Sequence, residues 1–343
     1  MRLRTFVRFL FLLIVLAAGA AGWLWYRATS PYKGFAGDEV FVELPPGTSV
    51  SGIAARLADA GVVGDPIAFR VAARWSGQER RLQAGEYRFA APATAFEIVS
   101  RLAQGDVFAR SVTFPEGLTI REMAALYEKA GLGQARDFIS AAGNGARAGD
   151  FDPEARTLEG FLFPDTYSLP RTAGADELIA AMLSRFGQAF TTDLREAAVA
   201  QGFSPREVVT LASIVEKETG QGDERPLVAA VYRNRLRIGM PLQCDPTVIY
   251  AKMLNGTWRG NLTRADLQMV SPYNTYRVAG LPPGPIASPG KASLEAVLRP
   301  ADVPYLYFVS RNDGTHVFAS TLEEHNRNVA KYQLHQPVKR RPT

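Results

Sequence analysis

The sequence predicts an α+β protein with an N-terminal transmembrane helix, a small α/β module and a larger α+β domain. Three observations predict this architecture. Residues 9–26 form an apolar stretch without a charged side chain, and its length just reaches that needed to cross a bilayer. Residues 39–110 begin with the alternating strand pattern of Val40-Phe-Val-Glu-Leu44 and continue with amphipathic helical segments. Residues 111–335 combine helical periodicity with loops rich in proline and glycine, and they end in a strand–turn–strand pattern.

The composition is that of a globular protein with a basic charge balance. Of the 343 residues, 47% are hydrophobic and 21% are charged, and the formal net charge is +5. A basic balance favours an acidic partner. Because the arginines are dispersed and no nucleic-acid-binding motif is present, we expect no nucleic acid partner. The single cysteine, Cys244, cannot form an internal disulfide.

The N-terminal stretch predicts a single membrane anchor. Residues 1–8 carry arginines, and the apolar run ends in Trp23-Leu-Trp25-Tyr26. Basic residues before the span and aromatic residues after it predict a cytoplasmic N-terminus with the rest of the chain outside. A cleaved signal peptide is the alternative, since residues 17–22 are all small. The bulky aromatic residues that follow and the length of the run favour an uncleaved anchor, and residues 27–38 are predicted to be a polar linker.

The small module contains a pattern that recurs later in the chain. The segment Val42-Glu-Leu-Pro-Pro-Gly47 is echoed by Val112-Thr-Phe-Pro-Glu-Gly117, and each copy is followed by a helical segment that ends at a glycine. Two copies are too few for a solenoid, so we interpret them as a duplicated supersecondary unit. The strand–helix–helix–strand order of residues 39–110 resembles a LysM-like carbohydrate-binding module, and generic α/β packing is the alternative.

The larger domain is organised around a helix that the sequence places at residues 204–220. Ser204 before Pro205, with Glu207 three positions after the serine, is a capping box, and Gly220 is the expected C-terminal cap. Apolar residues at helical spacing between them predict that one face of this helix is buried. Residues 176–200 and 226–238 are also predicted to be helical.

Two acids, Glu216 and Glu218, lie in the last turn of the predicted helix. At about 100° per residue they lie on opposite flanks of its apolar stripe. Either carboxyl could be half-buried and partly neutral, as a general acid requires. Two solvated glutamates at a helix end are the alternative, and periodicity does not choose between the two acids.

Other classes of chemistry find little support. The three histidines are His316, His325 and His335, and no zinc, phosphate-loop, dinucleotide or serine-nucleophile motif occurs. We therefore expect neither a metal nor a cofactor. Acid chemistry remains, together with polar and aromatic residues in the loops that follow the acidic helix. Tyrosines there can stack on sugar rings, and amide and carboxylate side chains can bind hydroxyl groups, although each residue can also be an ordinary core or turn residue.

Several long motifs resemble the endolytic murein transglycosylase family. They include Glu159-Gly-Phe-Leu-Phe-Pro-Asp-Thr-Tyr167, Ala212-Ser-Ile-Val-Glu-Lys-Glu-Thr219, Asp245-Pro-Thr-Val-Ile-Tyr250 and Tyr273-Asn-Thr-Tyr276. The resemblance covers about residues 39–332. It implies an enzyme anchored in the bacterial inner membrane, with a LysM-like module before a periplasmic catalytic domain. One departure is Cys244, where the family pattern leads us to expect a small hydroxyl residue.

The resemblance also implies the reaction. The family cuts the β-1,4 bond between N-acetylmuramic acid (MurNAc) and N-acetylglucosamine (GlcNAc) inside nascent glycan strands, and it leaves 1,6-anhydroMurNAc ends that limit strand length. The catalytic glutamate implied by the motif is its first acid, Glu216. One acid is sufficient, because the C6 hydroxyl of the sugar replaces the water and the second carboxylate of ordinary glycosidases. The predicted substrate-binding residues are Asn234, Gln243, Asp245, Thr247, Tyr273, Asn274 and Tyr276.

Two other functions remain open at this point. One is a non-catalytic peptidoglycan-binding scaffold, and the other is a hydrolytic muramidase. Peptidoglycan strands, the inner membrane and the peptidoglycan synthases or the division or elongation machinery are the expected partners. Residues 336–343 are predicted to be a basic tail.

Overall fold

A computed structural model describes residues 2–334, with side chains from residue 6 onward. His335 and the predicted tail at 336–343 lie outside the described residues. The chain divides into two compact units, which are described separately. The first contains the residues up to 110 together with 169–172, and the second contains 111–168 and the residues from 173 onward.

The first unit has the strands and helices that the sequence predicts. The strands Val40–Leu44 and Gly85–Phe89 are antiparallel, and Val42 lies opposite Tyr87. The core between this sheet and the helices contains the fully buried side chains of Leu57, Phe69 and Leu102. The elements are α1 (Arg2–Thr29), β1 (Val40–Leu44), α2 (Val50–Asp59), α3 (Pro66–Trp75), β2 (Gly85–Phe89) and α4 (Ala95–Gln104).

Helix α1 has an apolar part that is long enough to cross a membrane. This part covers Phe6–Thr29 with a mean hydropathy of 2.1. Its C-terminal end contacts the rest of the unit, because Ala28 is fully buried and Trp25 packs edge-on against Trp75 at 5.1 Å between ring centroids. The apolar helix therefore continues into the folded module without a break.

The predicted linker at 27–38 is more ordered than a polar spacer. Its first residues belong to α1. Tyr32 then exchanges two backbone hydrogen bonds with Ala93, and the Gly34 amide donates to the Gly61 carbonyl. The composition of this segment suggested a spacer, but backbone hydrogen bonds, which composition does not reveal, attach it to the module.

The second unit is mainly helical and has two small sheets. One pairs Arg110–Thr113 with Thr166–Leu169, and the other pairs Tyr307–Ser310 with His316–Ala319. Short 3₁₀ turns occur at Gly145–Phe151, Gly222–Glu224 and Asp266–Gln268, and a π turn at Ala330–Leu334. The elements are β3 (Arg110–Thr113), α5 (Ile120–Lys129), α6 (Ala135–Ala142), β4 (Thr166–Leu169), α7 (Ala175–Ala189), α8 (Thr192–Ala200), α9 (Pro205–Glu218), α10 (Arg225–Arg237), α11 (Asp245–Leu254), α12 (Lys291–Leu298), β5 (Tyr307–Ser310), β6 (His316–Ala319) and α13 (Leu322–Val329).

The continuous helix predicted for residues 176–200 is two helices. Phe190 leaves the helical conformation with φ −85° and ψ 72°, and its side chain is fully buried. There it packs against Phe151 and Phe186. Burial of this aromatic ring is favourable enough to override helical continuity.

Helix α9 lies at the centre of the second unit. Its N-terminus has the predicted capping box, in which Ser204 and Glu207 bond each other's backbone amides. Every residue from Val208 to Val215 is buried, so the helix is enclosed on all sides and not only on the predicted face. It ends at Glu218, because Thr219 is extended, and the expected cap at Gly220 does not form. The last turn of this helix, which follows the buried residues, carries both acids, Glu216 and Glu218.

Candidate active site

Glu216 lies in a network of hydrogen-bond donors. Its Oε1 accepts from Arg225 Nη2 at 2.9 Å, and its Oε2 accepts from the Gly290 amide at 3.0 Å and the Ser293 hydroxyl at 2.7 Å. The side chain is 5% exposed. These bonds join the end of α9 to the start of α10 and the start of α12.

A second carboxylate, Glu116, shares the same arginine. Its Oε2 lies 3.2 Å from Arg225 Nη2. Burial and the nearby Glu216 raise the pKa of Glu116, and Arg225 opposes that rise. A Cβ atom on Gly290 would lie 1.8 Å from Glu116 Oε1, so only glycine fits here without a shift. Glu216 therefore belongs to a closely packed ionic network.

Glu218 has different surroundings. Its Oε1 accepts a 2.6 Å hydrogen bond from the Tyr232 hydroxyl. Burial raises the pKa of Glu218 and the charge of Asp245 adds to the rise, whereas hydrogen bonds from Tyr232 and the Cys244 thiol oppose it. A carboxyl group with a raised pKa keeps a larger protonated fraction near neutral pH, which is the property that a general acid needs.

Glu218 lines a cleft of about 390 Å³. Glu216 is not among the residues of its wall. The cleft combines aromatic surfaces with carboxylate, amide, imidazole and guanidinium groups, which suits a polar ligand with flat apolar faces. Its walls are formed by Glu218, Tyr232, Arg235, Leu242, Gln243, Asp245, Tyr276, Tyr307, Phe308, Leu322, His325 and Asn326.

Three of the predicted substrate-binding residues lie in this cleft. Asp245 is the first residue of α11, and its Oδ1 accepts a 2.6 Å hydrogen bond from the Tyr276 hydroxyl. Gln243 has a φ of 51°, which is uncommon for a residue other than glycine and is found preferentially at functional sites. The backbone amide of Gln243 donates a hydrogen bond to the Thr275 carbonyl. The loop before α11 and the loop around Tyr276 therefore hold each other at the wall of the cleft.

Comparison with known proteins identifies the family. The model of the YceG-like family matches residues 42–331. The chain belongs to the YceG-like family. The endolytic murein transglycosylase of Bacillus subtilis is 32% identical in an alignment that covers 85% of this chain and 84% of the relative. That of Streptococcus pneumoniae serotype 2 is 29% identical and covers 95% of this chain, which spans 64% of the length of that relative.

A solved structure supports the same assignment. The crystal structure of a yceG-like protein from Listeria monocytogenes has a TM-score of 0.57 and 32% sequence identity, and the match covers 84% of this chain and 98% of that chain. The resemblance that the motifs indicated is confirmed.

In this YceG-like chain, Thr247 and Asn274 support the loops and do not line the cleft. Thr247 is fully buried, and its hydroxyl contacts the Cys244 carbonyl and the Thr275 hydroxyl at 2.7 and 2.9 Å. Asn274 is fully buried as well, and its amide nitrogen donates to the carbonyls of residues 267 and 269. Both side chains fix the segments that carry Asp245 and Tyr276.

The other two predicted residues lie at separate cavities. The Asn234 side chain donates to the carbonyls of Val303 and Tyr305 at 2.9 and 3.0 Å and lines a different cavity from Glu218. Tyr273 packs edge-on against Tyr250 at 5.0 Å, and it lines a third cavity beside Glu159. The structure therefore brings together Gln243, Asp245 and Tyr276, and not all seven predicted residues.

The sequence reasoning singled out only four of the twelve wall residues, and those that it missed include Tyr232, Arg235, Tyr307 and His325. Tyr232 and Arg235 are three positions apart on α10, so helical spacing could have placed them on one face. Tyr307 and His325 come from β5 and α13, and no local pattern links them to α9. Arg235 lies over the Tyr307 ring, 5.3 Å from its centroid. His325 stacks on the same ring, with 5.2 Å between the ring centroids. Burial and Arg235 lower the pKa of His325, which keeps its imidazole neutral at neutral pH.

Proposed function

We propose that this protein is an endolytic peptidoglycan lytic transglycosylase, a lyase that cuts the MurNAc–GlcNAc bond within glycan strands. The observation that carries the proposal is a glutamate with a raised pKa, Glu218, in a cleft lined by aromatic and hydroxyl-binding groups. Relatives named endolytic murein transglycosylases support the substrate class.

Glu218 would act first as an acid and then as a base. In its protonated form it gives its proton to the glycosidic oxygen, and the bond between that oxygen and the anomeric carbon of MurNAc breaks. The C6 hydroxyl oxygen of the same sugar forms the new bond to that carbon, and its proton returns to the Glu218 carboxylate. No water is consumed, and the attack within one sugar provides the proximity advantage. The product ends in 1,6-anhydroMurNAc, and internal cuts of this kind limit strand length.

The neighbours of Glu218 suit this cycle. The Tyr232 hydroxyl holds the carboxyl group in one orientation at 2.6 Å. Asp245 disfavours a second negative charge and so helps Glu218 to remain protonated before substrate is cut. Gln243 and Tyr276 would bind sugar hydroxyl and amide groups along the cleft.

We assign the proton transfers to Glu218 in preference to Glu216, which the motif resemblance implied. Glu216 forms an ion pair with Arg225. Both oxygens of Glu216 accept bonds from protein donors, and its side chain is not part of the cleft wall. The Glu216 assignment remains the alternative.

A hydrolytic muramidase is the second candidate, because Asp245 could activate a water molecule beside Glu218. The test is the mass of the new ends after purified glycan strands are digested. A lytic transglycosylase gives anhydro ends, which are lighter by one water than the reducing ends that a hydrolase gives. Reducing ends would contradict the proposal, and uncut strands would favour a non-catalytic scaffold.

We also propose that α1 anchors the enzyme in the inner membrane, with the N-terminus in the cytoplasm and the rest in the periplasm. The apolar span and the arginines before it support this topology, and it would place the enzyme near peptidoglycan synthases or the division or elongation machinery. Sequencing of the mature N-terminus tests the anchor. Retention of α1 is expected, and a mature chain that begins directly after Gly22 would show a cleaved signal peptide.

The first unit is proposed to be a LysM-like module that binds glycan. The order of β1, α2, α3 and β2 supports the resemblance. A purified protein without the second unit should then sediment with insoluble peptidoglycan, whereas a module that serves only as a spacer would remain in the supernatant.

A further inference from the structure

A cavity separate from the Glu218 cleft lies beside the other side of α10. Its volume is about 590 Å³, larger than the cleft and within the range of ligand-binding pockets. Three guanidinium groups line it, those of Arg233, Arg237 and Arg299, together with one carboxylate, Asp302. Much of the remaining wall is apolar, and it includes the small side chains of Ala230, Ala301 and Val303 and one proline, Pro300.

Arg233 and Arg237 donate hydrogen bonds to neutral groups, namely the side-chain oxygens of Gln201 and Asn234. None of the three arginines forms an ion pair with a carboxylate in the part of the chain that the structure describes. Arg233 is half-buried, stacks on Phe203 at 5.0 Å and donates to the Val297 carbonyl. Burial lowers its pKa, which reflects the cost of a partly desolvated cation without a counter-charge. A cavity with this excess of positive charge favours an anionic ligand.

The carboxylate of Asp302 narrows the ligand class. Asp302 makes no ion pair with the described residues either, so the cavity presents three cations and one anion to a ligand. A simple phosphate would use only the cations. A peptide with several carboxylates, one free amine and small side chains would use all four groups and the apolar wall.

We propose that this cavity binds the stem peptide of peptidoglycan, through its carboxylates to the arginines and its free amine to Asp302. The proposal rests on the proposed function, because stem peptides are attached to the MurNAc sugars of the strand that the cleft would cut. It adds a peptide-recognition site to the glycan site.

The distance between the two sites is compatible with one substrate. Tyr232 and Arg235 face the cleft, whereas Arg233 and Arg237 face the second cavity, so the sites flank opposite sides of α10. A helix with its side chains is about 10–12 Å across. An extended peptide spans about 3.3–3.6 Å per residue, so a stem of five residues, about 17 Å long, is longer than the helix is wide.

Calorimetric titration of the full-length protein with a purified, sugar-free stem peptide tests binding directly. In the variant Arg237→Gln/Arg299→Gln, which leaves the packed Arg233 in place, binding should weaken about 10-fold or more, since charge-assisted bonds are lost. Arg264→Gln, at an exposed arginine outside the cavity, should bind as the wild type does. Equal binding by the double variant and the wild type would overturn the proposal. So would a wild-type protein that binds inorganic phosphate but not the peptide.

A second measurement separates this proposal from the proposed function. The rate of cleavage is compared on strands that carry stems and on strands stripped of them by an amidase. The wild type should prefer stem-bearing strands, and the preference should shrink in the double variant but not in Arg264→Gln. If the wild type cuts both kinds of strand equally, stem recognition is wrong while the lyase stands. If it cuts neither, the lyase is wrong, and the titration still decides whether the peptide binds.

Discussion

Glu216 and Glu218 are separated by one residue, yet they contact different parts of the protein. Glu216 accepts bonds from the starts of α10 and α12, whereas Glu218 lines the cleft with Tyr232 and Asp245. A separation of about 200° around the helix produces this division. The same helix end therefore places one acid in an ionic network and the other in the wall of the cleft.

The first residue-scale prediction concerns the structural role of Glu216. Glu216→Gln removes the charge that Arg225 pairs with and weakens the bonds from Gly290 and Ser293. The free energy of unfolding should fall by about 1–3 kcal/mol, as expected when a buried polar group loses a hydrogen-bond partner. Urea unfolding measures this change. The matched control is Glu295→Gln, whose exposed pair with Lys291 should change stability little. Equal effects of the two substitutions would contradict the structural role.

A second residue-scale prediction concerns Glu159, which is buried outside the cleft. It accepts bonds from the Ile120 amide and the Tyr250 hydroxyl, and burial raises its pKa from 4.5 to about 8. Between these values the folded state binds more protons than the unfolded state. The contribution of Glu159 to stability is therefore fully present below pH 4.5 and is lost as the pH rises towards 8, by at most about 1.4 kcal/mol per pH unit.

Glu159→Gln removes this titration and keeps a side chain that can accept a hydrogen bond. Urea unfolding at pH 5 and pH 8 should show a smaller loss of stability in this variant than in the wild type. Glu295→Gln should retain the wild-type loss. If the pH dependence of Glu159→Gln matched that of the wild type, Glu159 would not be protonated in the folded protein.

At the scale of elements, periodicity predicted α9 well but underestimated its burial. Apolar spacing showed one buried face, whereas the polar residues Thr210 and Ser213 are also buried. The Ser213 hydroxyl remains paired there, because it donates to the Thr210 carbonyl and accepts from the Ile286 amide. The break between α7 and α8 was missed for a related reason. Phe190 turns out of the helix to pack against aromatic residues from other segments, and local propensity does not contain that information.

The element-scale prediction concerns the junction between α1 and the first unit. Three backbone hydrogen bonds attach Tyr32 and Gly34 to the module, and Ala28 is buried. A truncated protein that begins at residue 39 should therefore unfold more easily than one that begins at residue 24. The expected difference is about 1–3 kcal/mol in the unfolding of the first unit, at about 1 kcal/mol per hydrogen bond. Equal stability of the two proteins would restore the interpretation of residues 27–38 as a free linker.

For the whole molecule, the sequence was sufficient for the strands and helices of the first unit, the acidic end of α9 and three residues of the cleft. Asp245 and Tyr276 were predictable because they lie in motifs that resemble the family, and Gln243 lies two residues before one of these motifs. Tyr307 and His325 were not, since they reach the cleft only through the packing of β5 and α13. The choice between Glu216 and Glu218 also depended on long-range partners, namely Gly290 and Ser293 for one and Tyr232 for the other.

In the proposed reaction, one carboxyl, that of Glu218, carries both proton transfers. The most direct measurement is the yield of 1,6-anhydro ends from purified glycan strands incubated with the wild type, Glu218→Gln and Glu216→Gln, at a temperature where all three are folded. Glu218→Gln should lower the rate by about 10²- to 10⁴-fold, because it removes the transferable proton but keeps the shape. Glu216→Gln should keep much more of the activity than Glu218→Gln. Loss of the anhydro product in Glu216→Gln, with Glu218→Gln still active, would show that Glu216 and not Glu218 carries the proton transfers.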